Sequence, residues 1–231
     1  MERTAFITGG TGGLGGAVLQ TFLGAGWRVV APVRTEDERG RLPEHDKLEV
    51  VQADLFESGA VSAVVEAATS WDEAPLRAVV NLVGGFSAPG RVHEAPAEDV
   101  LEQLRVNVRP TYLVTQAALP HLMGGDDQGT VVCVSSRAAI RPFAGAAGYI
   151  MAKAAVLAFV RALDVEYRGD GVRSNAILPS VIDTPGQRAA MPDADHSKWV
   201  PPEEIARVAL FLSSEDSAPV SGAEIPVYGR A

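Results

Sequence analysis

The sequence predicts an α/β fold, a doubly wound parallel sheet with helices on both faces. Three observations carry this. Short apolar runs alternate with helical stretches along the chain, as in parallel strands joined by right-handed crossovers. The runs are continuously apolar, as in strands covered on both faces. A glycine cluster, Thr8-Gly9-Gly10-Thr11-Gly12-Gly13-Leu14-Gly15-Gly16, separates the first run from the first helix.

The elements follow in order. Thr4 to Thr8 reads as a buried first strand, and Ala17 to Leu23 as a helix ending at Gly24 and Gly26. A strand, a glycine-rich turn and a helix form a phosphate cradle. The glycines let the backbone approach a pyrophosphate, and the helix N-terminus offers free N–H groups. No Gly-Lys-Ser/Thr follows, so this is not a P-loop. Trp27 to Val33 is the second strand, with Pro32 suggesting a local irregularity. Its carboxyl end is where an adenosine ribose should sit. An acidic residue there would select NAD, but the chain has Arg34, which can pair with a 2′-phosphate and so favours NADP(H), with NAD(H) possible. The alternative is a solvated arginine balancing Glu36, Asp37 and Glu38.

Residues 39–47 read as a polar loop and Leu48 to Gln52 as a third strand. Asp54, followed by Leu55, could accept from an adenine amino group or cap the helix expected from about Glu57 to Ala68. Ala78 to Val83 is a fourth strand ending in Gly84-Gly85. One long amphipathic helix is expected from Pro96 to Met123. Asn107 lies inside it among apolar neighbours, and Pro110 should distort its ladder. Gly129 to Ser136 is a fifth strand ending in two serines. Ala147 to Tyr167 is an alanine-rich helix, and Arg173 to Leu178 a sixth strand ending at Pro179-Ser180. A mobile lid covers about 180–201, a helix runs from Pro202 to Leu212, and Ala223 to Tyr228 is the last strand. One domain is expected over 1–231.

Composition removes several function classes. The 231 residues carry a formal net charge of −9 and no dense basic run, which argues against nucleic acid or an anionic membrane as partner. Cys133 is the only cysteine and the four histidines are scattered, so no metal site is expected. The N-terminus lacks a signal-peptide pattern and no apolar run spans a membrane, which points to the cytoplasm.

Tyr149 and Lys153 fall four residues apart on one face of the alanine-rich helix. A neighbouring ammonium favours phenolate, so the tyrosine pKa is expected to fall toward neutrality, suiting it to exchange a proton with a carbonyl or alcohol oxygen. Ser136, at the carboxyl end of its strand, is placed to donate to a carbonyl.

Together, Thr8-Gly9-x-x-x-Gly13-x-Gly15, Asp54, Asn81 with Gly84, Asn107, Ser136, Tyr149-x-x-x-Lys153, Asn175-Ala176-Ile177-x-Pro179 and Ile182-x-Thr184 resemble the short-chain dehydrogenase/reductase family across essentially the whole chain. The resemblance implies a Rossmann domain with a seven-stranded parallel sheet, and reversible hydride transfer between nicotinamide and a carbonyl or alcohol. It implies Tyr149 as the acid/base, with Lys153 lowering its pKa and holding the nicotinamide ribose. Ser136 would polarise the carbonyl, and Asn107 would steady a water leading from Lys153. Ser135 is less suited, because Ser136 stands at the family's usual interval before the tyrosine. Cofactor contacts are implied at Gly9, Thr11, Gly13, Leu14, Gly15, Arg34, Asp54, Leu55, Asn81, Gly84, Tyr149, Lys153 and Pro179, with Ile182 and Thr184 at the carboxamide. A homotetramer or homodimer built on the helices containing Asn107 and Tyr149 is implied too. The chain departs from the family at Asn81-Leu82-Val83-Gly84, at Pro179-Ser180 and at Tyr228-Gly229-Arg230. Its active-site helix and lid also resemble the dihydropteridine reductases, so pterin or quinonoid reduction is an alternative. A non-catalytic NAD(P)-sensing regulator is another.

Overall fold

The computed structural model describes residues 2–124 and 129–230. Seven strands form one parallel sheet in the order β3-β2-β1-β4-β5-β6-β7. They are β1 (Thr4–Ile7), β2 (Arg28–Val33), β3 (Leu48–Gln52), β4 (Leu76–Asn81), β5 (Gly129–Val134), β6 (Val172–Pro179) and β7 (Glu224–Val227). The helices are α1 (Gly15–Gly24), α2 (Glu36–Arg39), α3 (Ser58–Thr69), α4 (Ala97–Asn107), α5 (Arg109–Leu122), α6 (Ala147–Tyr167), α7 (Pro185–Ala190) and α8 (Pro202–Ser213). Chain order reverses between β1 and β4. In a doubly wound sheet the ligand crevice opens at that switch point, beyond the carboxyl ends of the strands.

Two apolar cores flank the sheet. On one face Val18, Leu19 and Phe22 of α1 pack with Ile205, Ala209 and Leu212 of α8 against Ala5, Ile7 and Val29. On the other, Val61 and Val64 of α3, Val114 and Ala118 of α5, and Val156 and Val160 of α6 cover Phe6, Val79 and Val131. Alternate residues of each strand feed the two cores, so the strands read as continuous apolar runs.

Pro32 causes no irregularity. Arg28 N donates to Arg3 O and Val29 N to Lys47 O, so alternate β2 amides face opposite neighbours. By that alternation Pro32 faces β1, whose last partner on β2 is Val30. The missing N–H falls where pairing with β1 has already stopped, while pairing with β3 continues through Pro32 to Val33.

Three elements differ from expectation. Residues 36–38, to which no element was assigned, form with Arg39 the one-turn helix α2, which precedes the expected 39–47 loop and is capped by Thr35 Oγ1 accepting from Glu38 N. The single long helix is two, α4 and α5, divided at Val108. Pro110 is the reason: it lacks the N–H that would continue the ladder, but it suits the first turn of a new helix. The expected loop over the pocket contains α7, and a parallel bridge between Ile182 and Val200 closes its base. Cys133 is fully buried on β5, where Asn81 Nδ2 approaches its sulfur and burial pushes the thiol up to about 12.

Candidate active site

The chain segments leaving β1, β4, β5 and β6 meet around one crevice of about 870 Å³. Its wall includes Gly9, Gly13, Leu14, Gly15, Gly84, Ser136, Tyr149, Lys153, Pro179, Ile182 and Thr184. The topology therefore gathers most of the residues singled out from the sequence.

The glycine turn is built for close approach. Gly9 has φ +69°, and a Cβ on Gly15 would stand 2.0 Å from Gly9 O, a backbone atom that cannot yield cheaply. A Cβ on Gly13 would meet the Thr184 methyl at 2.6 Å. Helix α1 starts without a side-chain cap and with no acidic residue in its first turn. Its free amides and positive dipole end therefore remain available to an anion, and these residues fit a dinucleotide pyrophosphate.

Ser135 and Ser136 divide their tasks by strand alternation. Ser135 is buried and donates to Lys153 O at 2.8 Å, tying β5 to α6. Ser136 faces the other way, accepts from Ala138 N at 3.1 Å and stands close enough to Tyr149 to favour its phenolate. Phe86 meets the Tyr149 ring edge-on with centroids 5.0 Å apart.

Lys153 is 6% exposed and donates to Val134 O at 3.1 Å. Its Nζ lies 5.9 Å from the Tyr149 ring centroid. Burial draws the ammonium down to about 8. The phenol moves opposite to the sequence expectation. Burial raises Tyr149 above its ordinary value, and Ser136 opposes that only in part. The reason is desolvation of both groups: spacing along a helix fixes proximity but carries no information on how dry the site is.

Asn107 ends α4 with its side chain fully engaged. Nδ2 donates to Gly85 O at 3.0 Å and Gln103 O at 3.0 Å, and Oδ1 accepts from Gly85 N at 3.2 Å. A Cβ on Gly84 would lie 2.6 Å from Asn107 Oδ1 and 3.1 Å from Lys153 Nζ, so the two side chains face each other over Gly84. Asn107 thus fixes the turn after β4 beside the lysine.

Six expected residues stand outside the crevice wall: Thr11, Arg34, Asp54, Leu55, Asn81 and Asn107. Asn81 turns into the core, donating to Thr115 Oγ1 at 3.1 Å. Leu55 is buried among the apolar residues of the α3 face, and Asp54 Oδ1 accepts from Phe56 N at 3.0 Å. Arg34 is held by Glu38 through Nε at 3.1 Å and Nη2 at 2.8 Å, while Arg34 N donates to the other carboxylate oxygen at 2.7 Å. That contact holds the Glu38 carboxyl below its ordinary range. Thr184 Oγ1 accepts from Gln187 N at 3.3 Å and caps α7, so its methyl rather than its hydroxyl meets the glycine turn. Gln187 of the expected lid lines the crevice, and so does Arg141, which was not singled out. For Arg141 the signal was its spacing from Arg137 in the short turn after β5. No cluster of metal-ligating side chains occurs among the described residues.

A sequence model of the short chain dehydrogenases matches residues 3–195. The chain is 33% identical to the 2-(R)-hydroxypropyl-CoM dehydrogenase of Xanthobacter autotrophicus, over 99% of this chain and 98% of that protein. It is 29% identical to the (3R)-3-hydroxyacyl-CoA dehydrogenase of Homo sapiens, over 97% of this chain and 94% of that one. Among solved structures, the 3-ketoacyl-(acyl-carrier-protein) reductase from Brucella melitensis, complexed with NADH, superposes with a TM-score of 0.87 at 28% identity, covering 99% of this chain and 98% of that chain.

Proposed function

The chain belongs to the short chain dehydrogenase family, and on that premise we propose that it is an oxidoreductase acting on a small ketone or secondary alcohol with Tyr149 as acid or base. The observation that carries this is the meeting of Ser136, Tyr149 and Lys153 in the crevice that also contains the uncapped glycine cradle. The named relatives support the substrate class, since 2-hydroxypropyl, 3-hydroxyacyl and 3-ketoacyl groups are secondary alcohols and ketones.

A nicotinamide cofactor, when bound, supplies or accepts the hydride. The protein handles the oxygen. Reduction leaves negative charge on the former carbonyl oxygen, and Ser136 and Tyr149 are the donors that meet it. A phenol raised by burial is protonated at neutral pH, the form that donates. Lys153 keeps N–H groups beyond its bond to Val134 and would hold the ribose hydroxyls. The α1 N-terminus, with Gly9, Gly13, Leu14 and Gly15, would take the pyrophosphate. Asn107 holds the turn beside Lys153, and a water over Gly84 would pass protons from the lysine. Pro179, Ile182 and Thr184 border the carboxamide end, and the 180–201 segment acts as the lid.

Arg34 is the group that would take a 2′-phosphate, which favours NADP(H). Glu38 competes for the same guanidinium edge, narrows that margin and leaves NAD(H) acceptable. A homodimer or homotetramer through α4 and α6 is part of this proposal, supported by exposed Leu101 and Val165, as is a cytoplasmic location. No described helix is long and apolar enough to cross a membrane.

The test is Tyr149→Phe. It should lower turnover by about 10²-fold or more while leaving cofactor affinity within a small factor of the parent. Unchanged turnover would remove Tyr149 from the chemistry.

A further inference from the structure

The crevice wall carries three cations, Arg137, Arg141 and Lys153, and among the described residues no carboxylate and no imidazole. This is a positive wall in a chain with a formal net charge of −9. Lys153 is already engaged with Val134 O. The two arginines are not. Arg34 is paired with Glu38, Arg168 with Asp164 and Arg188 with Asp183. Arg137 and Arg141 have no such carboxylate partner among the described residues.

Their placement is fixed by the chain. Both lie on the turn that begins at Ser136, where Arg141 N donates to Arg137 O at 2.8 Å and Ile140 N to the same oxygen at 3.1 Å. The two side chains are thus one turn apart and leave the backbone on one side. The Arg137 guanidinium stands 5.0 Å from the centroid of the Tyr228 ring, which fixes its plane without consuming its hydrogen-bond donors. Phe86 and Phe143, with ring centroids 6.4 Å apart, supply an apolar flank to the same crevice, with Phe86 edge-on to Tyr149. Two like charges one turn apart oppose each other, and an anion between them removes that opposition. A low-dielectric cleft lined by one sign of charge also concentrates counter-ions.

We propose that Arg137 and Arg141 bind an oxyanion head group of the substrate, so that the enzyme acts on small keto or hydroxy compounds with a short apolar chain and an anionic end. The proposal rests on the crevice being the carbonyl/alcohol site described above. A guanidinium pair recognises the charge and the paired oxygens shared by carboxylate and sulfonate, and the two probes below separate them.

The experiment compares 4-oxopentanoate, 3-oxobutane-1-sulfonate and the uncharged methyl ester of 4-oxopentanoate. Each is assayed for reduction with NADH and NADPH. Each is also titrated by calorimetry into enzyme saturated with oxidised cofactor, where the ketones bind without being reduced. At least one anion should exceed the ester by about tenfold or more in kcat/KM and in affinity, with the margin shrinking as salt rises. In Arg137→Ala/Arg141→Ala the anion-to-ester ratio should fall toward one. Arg141→Ala alone should lower it in part, and the double lysine variant should retain more of it than the double alanine. A ratio near one in the parent enzyme for both anions, or a preference that survives the double alanine substitution, overturns the proposal. The calorimetric arm separates the two readings. If no ketone is reduced but anion-selective binding is present and vanishes in the double variant, the anion site stands and the hydride-transfer assignment fails.

Discussion

Replacing Lys153 by methionine should make the cofactor-free protein more stable at neutral pH. Lys153 is 6% exposed, and burial draws its ammonium from 10.5 to about 8. At about 1.36 kcal/mol per pH unit, that difference means the buried charge costs about 3 kcal/mol. The folded-state value lies below the unfolded one. Below pH 8 both states are protonated and the folded state carries the whole cost. Between pH 8 and 10.5 the folded state has released its proton while the unfolded state has not, so the stability of the parent protein rises. Above 10.5 both are neutral and the cost is gone. Methionine removes the titration but also the hydrogen bond to Val134 O, a loss of about 1 kcal/mol that does not vary with pH. The variant should therefore exceed the parent by about 2 kcal/mol at pH 7, and the gap should disappear and reverse slightly by pH 10.5. Urea unfolding of both proteins without cofactor, at intervals from pH 7 to 10.5, measures it. A gap that stays constant across that range, or a parent that is the more stable at pH 7, would refute the claim that desolvation dominates at Lys153.

Three further outcomes are expected. Ser136→Ala should cut turnover by about a hundredfold if the serine meets the developing oxyanion, and a negligible effect would remove Ser136 from the donors that meet it. Glu38→Gln should release the Arg34 guanidinium and tighten NADPH by about tenfold in fluorescence titration with little change for NADH; equal shifts for both would show that Arg34 does not read the 2′-phosphate. Gly84→Ala should push a methyl between Asn107 and Lys153, lowering both melting temperature and turnover, and a variant that behaves as the parent would show that the Asn107 side chain can move aside.

Periodicity made most of the fold legible. The boundaries of Leu48–Gln52 and Ala147–Tyr167 coincide with expectation because each has a sharp local signal: a β-branched run bounded by polar residues, or an alanine-rich stretch without proline. The glycine turn was legible because only one residue type tolerates a backbone oxygen 2.0 Å from where Cβ would be. What was not legible depended on burial, on contacts distant in sequence or on a short element that had not been expected. An arginine balanced by Glu36, Asp37 or Glu38 was one of the two readings left open at Arg34, and α2 decides that the partner is Glu38. The signal was present as Thr35-x-x-Glu38, the pattern of a capping box, yet the carboxylate reaches back to Arg34. Asn81 sits in a motif that suggested the crevice, yet its side chain turns toward Thr115. The direction of the Tyr149 shift was unreadable because a helical interval says nothing of solvent.

The burial of Cys133 makes the protein a clean background for site-selective labelling. With its thiol held at about 12, the thiolate fraction at neutral pH is about one in 10⁵, and its side chain has no exposed surface. Maleimides and mild oxidants should therefore leave the parent untouched. A cysteine placed at Gln187, on α7 beside the crevice, would be the sole reactive sulfur. A dye attached there would report any movement of the segment between Ile182 and Val200 in real time, without first stripping the chain of its own thiol.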